Sequence, residues 1–253
     1  MNLLHAIILG VIQGITEWLP VSSSGHLVIA QNLFSLGSEV VFDLWLHIAT
    51  LLVIFTVFRK DIISILRAVL TWDSKSKEFK WGLYVLLANI PILVVGFFLR
   101  NYISTLFAST TVVGVALLFT ATILFVSEKR TIPHEVNFKN SIVTGIFQAM
   151  AIVPGISRSG TTISSGLLQG ISKQDAAKFS FLMAIPAFIG AGILKAGEIS
   201  AGMFSLPYLI GFLTALIVGY FSLKLLLRII EQKKLHYFAY YCAILGVIVL
   251  ILF

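Results

Sequence analysis

Charge is scarce in this chain: Asp, Glu, Lys and Arg make up 11% of its 253 residues, against 58% hydrophobic ones. No water-soluble core of this length needs apolar runs of about twenty residues recurring from end to end. The solvent for most of the chain is therefore lipid. Cysteine is scarcer still. Cys242 is the only one and lies inside the last apolar run, which excludes an intramolecular disulfide and a thiolate metal cluster. Also missing is the cationic start of a secretory signal. Met1 to Trp18 has no Lys or Arg and contains Gln13 and Glu17, so this stretch is expected to stay with the working protein. The net charge of +7 does not mark nucleic-acid binding, because Lys and Arg fall in short connectors between apolar runs without aromatic interleaving. They read as topology signals, and no nucleic-acid partner is expected.

Stretches from about Phe42 to Phe58, Trp81 to Leu99, Thr110 to Val126, Lys178 to Leu194, Leu206 to Leu227 and Tyr237 to Phe253 are long and apolar enough to span a bilayer. Two more apolar stretches, Leu3 to Phe34 and Ile142 to Ile171, are broken by Pro, Gly and Ser at Pro20 to Gly25 and Pro154 to Gly160. Each of their limbs is too short to cross alone. GVIQGITEWLPVSSSGH beside GIFQAMAIVPGISRSGT pairs Gly10 with Gly145, Gln13 with Gln148, and Ser24-Gly25 with Ser159-Gly160. A broken stretch followed by three spans thus occurs twice, which reads as two copies of one unit. The first covers 1–127, with a hairpin over 3–36 and spans 42–58, 81–99 and 110–126. A cytoplasmic linker, 128–140, leads to the second, 141–253, with a hairpin over 142–171 and spans 178–194, 206–227 and 237–253.

If both broken stretches enter and leave on one side, Arg59, Lys60, Arg67, Lys75, Lys77 and Lys80 share a face with Lys129, Arg130, Lys139, Lys173, Lys178, Arg228, Lys233 and Lys234. Only Arg100 and Lys195 then lie opposite, a strong positive-inside bias. Full crossings per unit become odd in number, so the units are inverted. The expected fold is an all-α polytopic membrane protein of two inverted-topology repeats, each a re-entrant helical hairpin plus three transmembrane helices. The hairpin tips meet near the midplane, where non-helical backbone is tolerated if buried in protein or lining a wet cavity.

Glu17, His26 and Arg158 all fall in these hairpins, and an ionisable group at membrane depth costs about 2.5 to 3.5 kcal/mol on insertion scales. Their clustering points to function, with a structural Glu17–Arg158 ion pair as the bland alternative. At each tip a Pro ends one limb and a Ser- and Gly-rich turn starts the next. Ser22, Ser23, Ser24 and Gly25, and Ser157, Ser159 and Gly160, therefore sit at helix N-terminal ends that attract anions, while Arg158 adds a fork of donors suited to phosphate. Ser23 and His26 are three positions apart and share a helix face, a spacing that permits nucleophile and proton carrier; Ser22, four positions from His26, fits as well, and spacing does not choose between them. Gln13 and Glu17 point the same way and suit a divalent cation or the orientation of His26. Asp43 and His47 also share a face and read as an interfacial hydrogen-bonded pair or an entrance lining. Asn89 and Gln148 read as interhelical packing partners, and the outer members of Trp18, Trp45, Trp72 and Trp81 as interface-belt residues.

QGITEWLPVSSSGH and PGISRSGTT resemble the signature regions of the undecaprenyl-diphosphate phosphatase, or bacitracin-resistance protein, family, and length and span order extend the resemblance over essentially the whole chain. The resemblance implies an enzyme that hydrolyses undecaprenyl diphosphate to the monophosphate and recycles the carrier lipid for cell-wall synthesis. It also implies a bacterial cytoplasmic-membrane location, a site opening to the outer face, and a divalent cation such as Mg or Ca. Carried over by position, Glu17 is the second acid of the acidic motif, Ser23 the essential serine and His26 the histidine. Arg158 becomes the phosphate-binding arginine and Thr162 its hydroxyl neighbour. Many members have Glu where this chain has Gln13, which bears on a cation held by Glu17 and Gln13. The rival reading is a lipid or small-anion transporter, because inverted repeats with broken helices are also carrier architecture. Homo-oligomer formation is left open.

Overall fold

A computed structural model describes residues 1–36, 39–107, 109–127, 133–194, 205–231 and 235–253, and the regular elements among them are helices. The first broken stretch forms α1 (Leu3–Thr16) and α2 (Ser23–Leu33), followed by α3 (Val40–Val57), α4 (Arg59–Leu70), α5 (Lys77–Phe98), α6 (Arg100–Leu106) and α7 (Thr110–Val126). The second forms α8 (Phe138–Met150) and α9 (Arg158–Leu168), then α10 (Lys173–Leu194), α11 (Leu206–Glu231) and α12 (His236–Leu252). The chain is a multi-pass, all-helical membrane protein. Helices α5, α10 and α11 are long and apolar enough to cross a membrane, and α3 meets that measure together with α4, the two bent by 83°. At 17 residues each, α7 and α12 are apolar but shorter. The limbs α1 and α2, of 14 and 11 residues, reach only about 21 and 16 Å, short of the ~30 Å hydrocarbon core.

The stretch between the first two expected spans holds α4. Ile63, Leu66 and Leu70 recur there at helical spacing on an exposed side, beside Arg59, Lys60 and Arg67, so the segment is an amphipathic helix turned across the end of α3. Lys178 Nζ on α10 bonds Asp61 of α4 at 2.8 Å, and Lys77 Nζ at the start of α5 bonds Glu135 at 2.6 Å. Lys178 thereby ties α10 to α4, which carries Arg59, Lys60 and Arg67, and Lys77 ties the start of α5 to Glu135. Lys129, Arg130, Lys195, Lys233 and Lys234 lie outside the described residues.

Close helix approach is governed by small residues. A Cβ at Gly10 would lie 2.6 Å from the Gly211 carbonyl oxygen, where α1 packs along α11. A Cβ at Gly145 would lie 2.5 Å from the Ala88 carbonyl oxygen, where α8 packs along α5. Without a hydrophobic drive between helices in lipid, such backbone contact supplies the packing energy. The glycines that align between the broken stretches thus do one job against different partners. Their caps also correspond: Asn2 Oδ1 accepts from His5 N at 2.8 Å, and Asn137 Oδ1 from Asn140 N at 3.0 Å. Ser22 Oγ accepts from Gly25 N at 3.3 Å, and Ser157 Oγ from Gly160 N at 3.1 Å.

The two tips touch. Ser159 Oγ donates to the Leu19 carbonyl oxygen at 3.3 Å, and a Cβ at Gly25 would lie 3.1 Å from Gly155 Cα. Gly155 itself has φ +98°, a left-handed turn that suits glycine. Buried Cys242 on α12 reaches the Pro20 carbonyl oxygen at 3.6 Å. Trp18 and Trp81 are core rather than belt residues: Trp18 is fully buried edge-on to Phe181, and Trp81 edge-on to Phe179. Trp72 alone of these three is exposed.

Candidate active site

Glu17 sits where α1 ends before Pro20, with its side chain 4% exposed. Its oxygens collect donors from two other helices and stand near a third. Arg158 Nη2, at the start of α9, donates to Oε1 at 2.8 Å. Ser23 Oγ, at the start of α2, donates to Oε2 at 2.6 Å. Gln13 Nε2, one turn back on α1, donates to the same Oε2 at 3.0 Å, and His47 Nε2 of α3 stands 3.5 Å from it. Residues far apart in the chain therefore meet on one buried carboxylate, which is costly to bury unless paired and hydrogen-bonded.

The Arg158 guanidinium is held by Glu17 and by the Ser180 carbonyl oxygen, which Nη1 reaches at 3.3 Å, and it lies 5.1 Å over the Phe188 ring. Those two bonds leave donors of the five-N–H fork for an anion. Ser23 and Ser24 begin α2, where the first backbone N–H groups have no helical carbonyl to bond. A hydroxyl on a carboxylate, a cationic fork and a helix N-terminus at one place suit attack on a phosphate ester or anhydride.

Ser23 and His26, expected to act as a pair, do not bond each other in this structure. Ser23 is bonded to Glu17, and both imidazole nitrogens of His26 are engaged elsewhere. Nδ1 meets the Ser22 carbonyl oxygen at 2.7 Å and Nε2 meets the Tyr241 hydroxyl at 2.7 Å. A nitrogen facing a carbonyl must donate, so Nδ1 carries the proton and a neutral His26 accepts from Tyr241. The ring lies parallel to Tyr241 with centroids 5.7 Å apart. It braces Ser22, whose φ of 70° is strained for a residue with a side chain. The helix spacing does place Ser23 and His26 on neighbouring positions; tertiary partners then turn the two side chains apart.

The remaining expected residues support the tips. Ser22 and Ser157 cap their helices, and Ser24 and Ser159 each lie 3.3 Å from the cap hydroxyl of their own tip. A Cβ at Gly160 would meet Ser157 and Pro20. Thr162 bonds the Arg158 carbonyl at 2.7 Å and the Ser180 hydroxyl at 2.6 Å, tying α9 to α10 behind the arginine. Gln148 Nε2 donates to Asn89 Oδ1 at 2.9 Å, which ties α8 to α5.

For a cation, the described residues of the site offer few atoms. Gln13 Oε1 is buried without a partner, an acceptor able to serve a cation or water, and Glu17 Oε2 lies close by. A hard divalent cation takes about six to eight oxygens, so a diphosphate and water would supply most of them. The pair fits a cation that arrives with an anionic ligand.

Two contacts escaped the sequence. His47 joins the site through Glu17, although its helical pairing with Asp43 suggested an interface; its Nδ1 does meet the Asp43 carbonyl at 2.6 Å. The usable signal was an ionisable side chain inside a span. Tyr241 had none, because a tyrosine near the start of an apolar helix looks like any interface residue.

Comparison with known proteins adds to the geometry. A relative from Methanosphaera stadtmanae named undecaprenyl-diphosphatase is 40% identical over 273 aligned positions, covering 100% of this chain and 98% of the relative. Those of the same name from Methanobrevibacter smithii and Carboxydothermus hydrogenoformans are 42% and 38% identical, covering 98% and 100% of this chain and 97% and 98% of their own. The model of the bacitracin resistance protein BacA family matches residues 6–248, which takes in both hairpin tips and every residue placed around Glu17. The chain belongs to the bacitracin resistance protein BacA family.

Proposed function

We propose that this chain is a membrane-embedded phosphatase that hydrolyses undecaprenyl diphosphate to undecaprenyl phosphate and phosphate. The observation that carries the reading is the 2.6 Å bond from Ser23 to Glu17, with Arg158 on the other carboxylate oxygen. Full-length relatives bearing the name undecaprenyl-diphosphatase support the same substrate. Ser23 Oγ attacks the terminal phosphorus and gives its proton to Glu17 Oε2. The bond from that phosphorus to the bridging oxygen breaks, and the lipid leaves as its monophosphate, whose freed oxygen takes up the proton held by Glu17. Water then attacks the phosphoseryl group with Glu17 as base, and the released Ser23 oxygen regains a proton. Arg158 and the N-terminal amides of α2 hold the phosphoryl oxygens as their charge redistributes. A divalent cation, Mg or Ca, held by Glu17 and the Gln13 carbonyl together with the diphosphate, would draw charge from the leaving oxygen. Purified protein in detergent should release phosphate from undecaprenyl diphosphate, more with added Mg or Ca than with a chelator. A protein that releases none with any cation, yet moves the lipid across a bilayer, would be a carrier instead.

The finer topology belongs to the same reading. The halves are inverted repeats, with both termini and the Arg100 and Lys195 loops outside, the Lys75 and Lys129 loops in the cytoplasm, and the site opening outward in the cell membrane. Matching caps at both tips, the paired roles of Gly10 and Gly145, and the ion pairs of Lys178 and Lys77 support this arrangement. Relatives in archaea extend the expected setting beyond bacteria. Single cysteines at positions 75 and 100 in a Cys242→Ala background should react with an impermeant reagent from opposite sides. Labelling of both from one side would sink the inverted arrangement.

A further inference from the structure

The bend between α3 and α4 leaves a recess of about 450 Å³ whose polar lining is Thr56, Arg59, Lys60 and Asp61 at the bend, with Tyr220 and Lys224 of α11. Arg59 lies roughly 18 Å of helix rise beyond His47. The recess is therefore separate from the site around Glu17, and the proposed reaction does not use it.

Three cations face this recess with a single acid, and the acid is already paired: Asp61 Oδ1 accepts from Lys178 Nζ of α10 at 2.8 Å. Among the described residues no carboxylate forms an ion pair with Arg59, Lys60 or Lys224. Lys224 Nζ stands 4.3 Å from the centre of the Tyr220 ring, one turn back on α11, which holds the ammonium at the recess. Unpaired like charges at one place repel until an anion joins them.

Two apolar features say which anion. Ile63, Leu66 and Leu70 of α4 are exposed, and an amphipathic helix with that pattern lies in the headgroup layer with its apolar side on the acyl chains. On α11, Ile217 and Phe221 precede Lys224 by seven and three positions, share its helix face and are exposed as well. Cations at one end of a lipid-facing apolar strip complement an anionic head carrying hydrocarbon tails. A free anion would use the cations alone.

We propose that this recess binds an anionic phospholipid of the bilayer, with Arg59, Lys60 and Lys224 on its phosphate and its tails along Ile217 and Phe221. The lipid pins the bend of α3 against α11, which is itself held to α1 by the Ser222 hydroxyl donating to the Ile15 carbonyl at 2.9 Å. The site is independent of the proposed reaction. Only its place in the cytoplasmic leaflet rests on the proposed topology, which cysteine labelling tests separately.

Native mass spectrometry of the full chain in detergent, titrated with phosphatidylglycerol or phosphatidylcholine, tests the site. The wild type should prefer phosphatidylglycerol by about 10-fold or more. Lys224→Gln should weaken phosphatidylglycerol binding about 5-fold and Arg59→Gln/Lys60→Gln/Lys224→Gln about 10²-fold, from the attraction of each basic residue to an anionic lipid surface. Lys75→Gln/Lys80→Gln/Lys139→Gln removes the same charge from exposed positions outside the recess and should bind as the wild type does. A wild type that does not distinguish the two lipids overturns the proposal without any variant. Wild-type affinity in Lys224→Gln and in the recess triple variant overturns it too, and so does an equal loss in both triple variants, which marks general surface charge. Inorganic phosphate that displaces phosphatidylglycerol at equal concentration would make the free anion the ligand and overturn the lipid.

Discussion

Arg158→Ala should lower kcat for phosphate release by about 10²- to 10³-fold, the loss typical of removing one aimed donor from a developing charge. Arg158→Lys should recover only a small part. A lysine offers a point charge, whereas the guanidinium here bonds Glu17 Oε1 through Nη2 and the Ser180 carbonyl through Nη1, which sets the plane of the fork. Stacking on Phe188 at 5.1 Å is lost as well. Part of the Ala effect has a structural origin, because removing one partner of a buried ion pair leaves the other uncompensated at a cost of about 3–5 kcal/mol. The double variant Glu17→Gln/Arg158→Gln separates the contributions. It should regain expression and thermal stability relative to Arg158→Ala while staying inactive. Recovery of phosphate release in that double variant would show that the pair is structural and that the chemistry occurs elsewhere.

Ser23→Ala and Glu17→Gln should each cost about 10³-fold or more in kcat with the protein still folded, because a nucleophile and its base act as one unit. Combining them should cost little beyond either alone. His26→Ala should be milder. Its ring bonds the Ser22 carbonyl and Tyr241, so its loss relaxes a strained turn next to the nucleophile without removing a reacting group. Single-turnover measurements on the variants would make the distinction. A dead His26→Ala beside an active Glu17→Gln would reverse the assignment of the base.

Much of the site is legible in the sequence because burial in lipid makes polar residues conspicuous. Glu17, Ser23 and Arg158 stand out in apolar hairpins, and the structure brings them within hydrogen-bond reach of one another through Glu17. The aligned glutamines show the limit of that method. Gln13 and Gln148 match in the repeat, yet Gln13 bonds Glu17 in the site whereas Gln148 bonds Asn89 of α5. Their neighbours come from different helices, and no local pattern reports which helix will stand opposite.

By itself the sequence determined the helical, membrane-spanning character, the broken stretches with their Ser- and Gly-rich tips, and the residues that carry charge into them. These follow from composition, apolar run length and the local chemistry of Pro, Gly and Ser, which act within a few turns of one chain segment. The tertiary structure decided the partners: Ser23 with Glu17 rather than His26, His26 with Tyr241 across 215 residues, and His47 beside Glu17. It also decided that Trp18 and Trp81 are core and that α4 turns across the end of α3. Such outcomes depend on how closely backbones approach at Gly10, Gly25 and Gly145 and on the side chains that opposing helices bring there. A side chain with several local options is committed by the neighbour that satisfies its polar atoms in a medium without water.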